Sequence, residues 1–293
     1  NINMQLIPFD NRPGSIWLNG KLVKWKSANT HILNHGLHYG SCVFEGIRVY
    51  NGKIFKLKEH VSRLFLSARI LDLKIKYTQK EIIDSINLIV NKQKVLNGYI
   101  RPVVWRGSEI MAVSAIKASV NIAVAAWKWP SYFSPEKILD GITMSFSEWV
   151  KPSPNSAPVQ SKAAGLYMIC SLSKHIAESK GFDDALMLDY RGYIAEATGA
   201  NIFFVKKNVI YTPTADCFLN GITRKTVIQI ARKLKFKVVE KHLKPSFINN
   251  CDEVFLTGTA VEITPVKKIG TATFKKREVT KLLMESFQKI VGN

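Results

Sequence analysis

Two Asn-Gly dipeptides restrict what the first half of this chain can fold into. Asn19-Gly20 interrupts IWLNGKLVKW and Asn51-Gly52 interrupts VFEGIRVYNGKIFKL, each between runs of strand-forming residues. A two-residue connection of this kind needs positive φ at both positions, which these residues tolerate, and it returns the chain antiparallel through a type I′ turn. After the second hairpin the pattern changes period. Val61, Leu64, Phe65, Ala68 and Leu71 recur at helical spacing, and a further helix is predicted from about Thr78 to Gln93, burying Ile82, Ile83, Ile86, Ile89 and Val90. Strands in GYIRPVVWRG and NIAVAAWKW complete an α+β unit ending near Pro130.

At 293 residues the chain exceeds ordinary single-domain size, so two domains are expected. The Pro- and Ser-containing stretch WPSYFSPEKILDG places a linker at about 130–137, dividing residues 1–133 from 134–293. Beyond it a strand is expected around Gly141–Trp149. The loop KPSPNSAPVQSK cannot be regular, because Pro152, Pro154 and Pro158 remove donors and restrict the residues before them. This loop leads to Lys162 and a helix beginning with small residues and stopping at Gly181. Strands in ALMLDY, YIAEATGANIFFV and VIYTP follow, then a helix starting at Thr223 that carries Val227, Ile230, Ala231 and Leu234 on one face. EVFLTGTAVEITPV reads as strand, loop, strand, and a last helix uses Val279, Leu282, Leu283, Phe287 and Ile290.

Composition removes several classes of function. Apolar residues make up 46% and charged residues 22%, which excludes a disordered or collagen-like chain. The formal charge of +20 raises a nucleic-acid or anionic-membrane partner, but the basic residues are spread out, the densest groups being Lys74/Lys76, Lys206/Lys207, Lys267/Lys268 and Lys275/Lys276/Arg277. Neither partner is expected. Cys42, Cys170, Cys217 and Cys251 form no CxxC pair, the start lacks a basic segment followed by an apolar one, and no apolar run reaches membrane-spanning length. A cytoplasmic protein with reduced thiols is the expectation.

Three loops rich in Gly, Thr and Ala lie at element boundaries: GITR at Gly221, TGTA at Thr257 and EATGAN at Glu196. Each reads equally as a capped turn or as a loop whose backbone N–H groups approach a phosphate. Lys162 stands among Ser161, Ala163, Ala164 and Gly165, without charged neighbours. Such a lysine, when desolvated, becomes a usable nucleophile; the competing reading is a solvated surface charge. His31, His35 and His38 have the spacing of one helical face, but Asn34, Gly36 and Gly40 argue against a helix there, so packing roles are preferred and no metal is expected. No GxSxG elbow, Walker or GxGxxG fingerprint is present.

Taken together, IWLNGKLVKW, HGLHYGSCVFEGIRVYNG, EHVSRL, GYIRP, SKAAGLY, DDALMLDYRGYIAEATGANIFFV, CFLNGITRKTV and EVFLTGTAVEITPV resemble, in order and spacing, the branched-chain aminotransferases among the fold type IV enzymes dependent on pyridoxal 5′-phosphate. The resemblance implies an α+β protein with a small N-terminal α+β domain and a larger C-terminal α/β barrel-like domain. It implies Lys162 as the cofactor's Schiff-base lysine and proton carrier, and Glu196 as partner of the pyridine nitrogen, which keeps the ring an electron sink. Phosphate would be held by Arg63, Ile222, Thr223 and Thr259, and the ring oxygen contacted by Tyr167.

For substrates, the same resemblance implies carboxylate binding by Tyr99, Arg101 and the Thr259-Ala260 backbone. Tyr39, Phe44, Trp129 and Tyr167 would wall an apolar side-chain pocket, with Arg101 and Tyr39 as candidates for the glutamate side-chain carboxylate. Leu, Ile or Val would give its amino group to 2-oxoglutarate, through pyridoxamine phosphate, in ping-pong order. A D-amino-acid aminotransferase or an aminodeoxychorismate lyase shares the fold; GYIRP and HGLHYGSCVFEGIR favour the branched-chain group. A homodimer or higher homo-oligomer is expected. Val261 departs from the family's usual alanine, and either narrows the pocket or faces the core.

Overall fold

The computed structural model describes residues 8–129 and 132–292. Residues 1–7, where a leader segment would begin, and Pro130 and Ser131 of the expected linker lie outside the described residues. The chain divides into two compact units, Asn1–Pro130 with Ala163–Gly165, and Ser131–Lys162 with Leu166–Asn293.

In the first unit, β1 (Ser15–Leu18) and β2 (Lys21–Lys24) form the first hairpin. Then come α1 (His35–Tyr39), β3 (Cys42–Phe44), and the second hairpin of β4 (Ile47–Tyr50) and β5 (Lys53–Ile54). Both Asn-Gly turns have positive φ at both residues, as a type I′ turn requires. Helices α2 (Leu57–Ile70) and α3 (Gln79–Lys92) precede the long strands β6 (Gly98–Arg106) and β7 (Val120–Lys128). The sheet runs β2-β1-β7-β6-β4-β5, with β3 also on β6. Val61 and Leu64 of α2 and Ile82, Ile86 and Ile89 of α3 bury against Val49, Ile100 and Val124. The chain enters α3 through a full capping box, Thr78 and Glu81 satisfying each other's backbone N–H.

The second unit contains α4 (Pro135–Asp140), β8 (Ile142–Phe146), α5 (Tyr167–Ser179), β9 (Asp184–Leu188), β10 (Ile194–Ala197), β11 (Asn201–Lys206) and β12 (Val209–Thr212). It continues with α6 (Ile222–Lys233), β13 (Lys237–Glu240), β14 (Glu253–Gly258), β15 (Glu262–Ile269), β16 (Ala272–Thr273) and α7 (Glu278–Val291). Its mixed sheet runs β10-β9-β8-β15-β14-β11-β12-β13, with β16 on β15. Strands β10 and β11 are five positions apart in that order yet joined only by Thr198, Gly199 and Ala200. Four Cα steps reach at most ~15 Å, whereas five flat strand spacings would need ~24 Å. The sheet therefore curls until β10 returns beside β11, the barrel-like form expected of this half.

Several local expectations need correction. A short helix, α1, does form over His35–Tyr39. Asn34 accepts from Leu37 N at its start and Gly40 ends it in the left-handed region, so two residues that argue against a helix in the sequence are its caps. Helix α5 begins at Tyr167, not directly after Lys162, because Ala163 pairs with Val43 as a β-bridge and Ala164–Leu166 form a 3-10 turn. Helix α6 begins at Ile222, one residue early, with Gly221 as its N-cap. Leu234, Leu282 and Ile290 face solvent; Thr280 and Val291 bury instead in α7. Among the described residues no helix is long and apolar enough to cross a membrane.

Candidate active site

Lys162 ends the irregular proline loop, and its Nζ donates to the Tyr167 hydroxyl at 2.7 Å. Tyr167 is the first residue of α5, so this contact ties the lysine to a rigid element. One turn on, Cys170 lies on the same helix face and accepts a contact from Lys151 Nζ at 3.3 Å. Lys151 Nζ in turn sits 2.8 Å from Glu196 Oε1. The other oxygen, Oε2, accepts from Asn201 Nδ2 at 3.0 Å, and the same amide group donates to Leu219 O at 3.1 Å. Asn201 Oδ1 accepts from Gly221 N, the N-cap of α6, at 3.2 Å. A chain of polar contacts thus runs from Cys170 through Lys151, Glu196 and Asn201 to the start of α6, and Lys162 is held on the same helix α5 through Tyr167.

Lys151 carries no signal in the sequence, where it reads only as the first residue of the proline loop. It is buried beside a carboxylate: burial works against its charge, but the attraction of Glu196 and its hydrogen bond raise the ammonium pKa overall. Burial pushes the Cys170 thiol upward, which keeps it protonated. Asn201 falls inside the EATGAN motif but has no role assigned there; its amide reads both Glu196 and the loop before α6, a role no spacing rule reveals. Gly221 makes that possible, since a Cβ there would lie 2.2 Å from Asn201 Oδ1.

The fit of this unit to pyridoxal phosphate can be tested on its own atoms. Glu196 uses one acceptor bond on each oxygen in the contacts above, and a carboxylate offers about four acceptor positions, so a pyridinium N–H can be received. Ile222 and Thr223 open a twelve-residue helix whose first N–H groups and positive dipole end suit a phosphate. The hydroxyl of Thr257, in register with Asn201, is buried without a hydrogen-bond partner among the described residues. Thr259 and Ala260 lie in the three-residue loop between β14 and β15, closed by Glu262 in the left-handed region, whose carboxylate accepts from Gln288 Nε2 at 2.9 Å. Val261 packs against the core cluster of this unit. The residues present fit the group.

In the first unit, Arg101 lies 4.6 Å from the centroid of the Phe44 ring and 5.6 Å from that of Tyr99, and Tyr99 packs on Trp129 at 4.7 Å. These four expected substrate residues are brought together. Tyr39 stands differently: it stacks on His35 and is 46% exposed. The imidazole of His35 contacts Ser41 Oγ and Ala112 O, a packing role. Arg101, Trp105 and the small side chains of Ala123 and Ala125 line a cavity of about 610 Å³, and neither Arg101 Nε nor Trp105 Nε1 has a hydrogen-bond partner among the described residues. A guanidinium on a mostly apolar cavity wall suits a carboxylate.

Arg63 donates through Nε (2.6 Å) and Nη2 (3.0 Å) to the fully buried carboxylate of Glu45, which also contacts His60 Nδ1 at 2.7 Å. Burial pushes Glu45 up, but the Arg63 charge and the His60 hydrogen bond outweigh it and hold the carboxyl at about 2. The guanidinium is thereby aimed by a rigid anionic support. Sequence reasoning misses both Glu45 and His60, although EHVSRL places His60 one helical turn before Arg63.

Comparison with known proteins gives a family model, amino-transferase class IV, matching residues 42–269. A probable branched-chain-amino-acid aminotransferase of Rickettsia bellii is 47% identical over 280 residues, covering 94% of this chain and 96% of the relative. The branched-chain-amino-acid aminotransferase of Pseudomonas aeruginosa is 40% identical over 290 residues, covering 96% and 94%. A solved T.th. branched-chain amino acid aminotransferase with pyridoxamine 5′-phosphate superposes with a TM-score of 0.92 at 37% identity, covering 96% and 95%. The same protein has been solved with N-(5′-phosphopyridoxyl)-L-glutamate.

Proposed function

The chain belongs to the amino-transferase class IV family, and on that premise we propose that it is a branched-chain-amino-acid transaminase dependent on pyridoxal 5′-phosphate. It exchanges the amino group of Leu, Ile or Val with 2-oxoglutarate, giving branched-chain 2-oxo acids and L-glutamate. When bound, pyridoxal phosphate supplies the electron sink that stabilises negative charge at the substrate Cα. The chain's own residues do the rest. Lys162 Nζ, held by Tyr167, would tether the cofactor and, once the substrate amine has displaced it and left it as a free amine, would take and return the Cα proton. Glu196, fixed by Lys151 and Asn201, keeps the pyridine nitrogen protonated. Arg63, Ile222, Thr223 and Thr259 bind phosphate; Tyr99, Arg101 and the Thr259-Ala260 backbone receive carboxylate, with Tyr39, Phe44 and Trp129 serving the apolar side chain.

The observation that supports these roles most directly is the set of contacts around Glu196, which tie it to Lys151 and, through Asn201, to the N-cap of α6, while Lys162 is held on Tyr167 at the start of α5. The same reading makes the protein a cytoplasmic homodimer or higher homo-oligomer acting on small molecules and not on nucleic acid or membranes. Its domains are residues 1–133 and 134–293. The test is a visible spectrum of the purified protein with added cofactor. A band that responds to L-leucine, is lost in Lys162→Ala, and survives as covalent label after borohydride only in the unmutated chain is the expected result. Turnover of D-alanine with none of L-leucine or L-valine would overturn it.

A further inference from the structure

Away from Lys162, one polar cluster, built on the buried Asp189 and Cys217 and reaching the surface at Arg191, Asp216 and His242, has no part in the chemistry above. Asp189, 3% exposed at the end of β9, accepts from the backbone N–H groups of Arg191 and Tyr193, so the turn between β9 and β10 is fixed on its own carboxylate. The Arg191 side chain folds back onto it through Nε (3.1 Å) and Nη2 (2.7 Å). Nη2 also donates to both oxygens of Asp216, each at 3.0 Å, and to Cys217 Sγ at 3.4 Å. His242 Nε2 completes the surroundings of Asp216 at 2.8 Å. Asp189, Asp216 and Cys217 have the donor types of a cation site within 4.8 Å of one another, but the guanidinium supplies the positive charge they share.

Asp216 and Cys217 lie in residues 214–221, the connection from β12 towards α6. Asn201 holds the far end of that connection at Leu219 O and Gly221 N, and the same Asn201 holds Glu196. Between the two anchors Cys217 and Phe218 pack on Ala195, the residue before Glu196. Gln160, two residues before Lys162, donates to Ala215 O and Asp216 O. The connection is thus pinned at both ends and touches the neighbours of both principal site residues.

Resting on the function proposed above, we infer that Arg191 is a positioning residue: by clamping Asp216 it fixes residues 214–221, and through them the first turn of α6 and the Asn201–Glu196 contact that receive the cofactor. Arg191 touches neither substrate nor cofactor in this role. Its effect is pre-organisation, so its loss loosens the receiving groups before anything binds.

The test uses the full chain as Arg191→Ala, Arg191→Lys and Asp216→Asn. In cofactor-free protein, amide exchange of residues 214–224 in Arg191→Ala and Asp216→Asn should quicken about tenfold, without matching change in the core strands. Cofactor affinity, read from titration of the visible band, should weaken about tenfold, the loss of one charge-assisted contact. Arg191→Lys should recover part of both, since it keeps a cation but not the fork. Asp216→Asn, nearly isosteric, carries the test if Arg191→Ala fails to fold. Unchanged exchange and unchanged affinity in either folded variant overturns the inference. If the unmutated chain binds no cofactor, the proposed function falls instead, and the exchange measurement alone still decides whether the clamp exists.

Discussion

Lys151 Nζ and Glu196 Oε1 meet at 2.8 Å with both side chains almost withdrawn from solvent, 11% and 13% exposed. Two opposite charges meet there where water is scarce, and an ammonium on one carboxylate oxygen leaves the carboxylate acceptor capacity over. Removing one partner of such a pair leaves the other charge uncompensated. Lys151→Met should therefore destabilise the fold by about 3 kcal/mol, measured by urea unfolding. The double variant Lys151→Met with Glu196→Gln should recover much of the loss; simple additivity would refute the coupling.

Glu45 makes an acid-pH prediction. Its carboxyl is held at about 2 against an ordinary 4.5, so the unfolded chain binds its proton at higher pH than the folded chain does. The stability it contributes is present above about 4.5 and drains away as pH falls towards 2, by an amount of order 3 kcal/mol. Glu45→Gln should be less stable near neutrality by a similar amount and should flatten the stability profile between these limits. Melting curves from about pH 2 to about pH 7 check this, and equal slopes for both proteins would count against it.

Gly221→Ala should disturb the start of α6 although its φ of −57° suits any residue. The added Cβ would stand 2.2 Å from Asn201 Oδ1, and Asn201 is held on its other side by Glu196 and Leu219. Overpacking of this kind costs about 1–3 kcal/mol, and the displaced amide should also weaken cofactor binding. Thermal unfolding and cofactor titration on the same sample report the two effects.

Val261 packs with the core of the second unit, so its departure from the usual alanine should not govern substrate choice. Val261→Ala should lower stability by ~1 kcal/mol, while the ratio of kcat/KM for leucine and valine stays within about twofold. A marked shift in that ratio would place the side chain against substrate after all.

What the sequence made legible was local. Asn19-Gly20 and Asn51-Gly52 declare their turns because few dipeptides accept two positive φ values in succession, and the isoleucines of α3 declare their face by spacing. The same local reasoning failed at Gly36 and Gly40, because a helix of five residues is made by its caps and not by its interior. It also put Leu282 and Ile290 in a core they do not reach, since periodicity gives a face but not how much of it another element covers. In the candidate site, Lys162 and Glu196 were singled out through the resemblance of the motifs around them. Lys151, Asn201 and the Arg191–Asp216 pair were not, for each acquires its meaning from a partner distant in sequence, 45 residues away for Lys151, 25 for Arg191 and 20 for the Gly221 N–H on Asn201. Long-range ion pairs leave no period in a sequence.

The three residues Ala163–Gly165 belong to the first unit, where Ala163 pairs with Val43 and Gly165 lies close to Gly40, although the chain had left that unit near Pro130. On a ribosome this imposes an order of events. The N-terminal unit emerges first but lacks its last piece until about 30 more residues have been made, a delay of a few seconds at ordinary elongation rates. A fragment cut at the nominal boundary would therefore be an incomplete body, with the place beside Val43 left open. Lys162 directly precedes this returning segment, so the step that finishes the first unit during synthesis is also the step that anchors the chain just after Lys162.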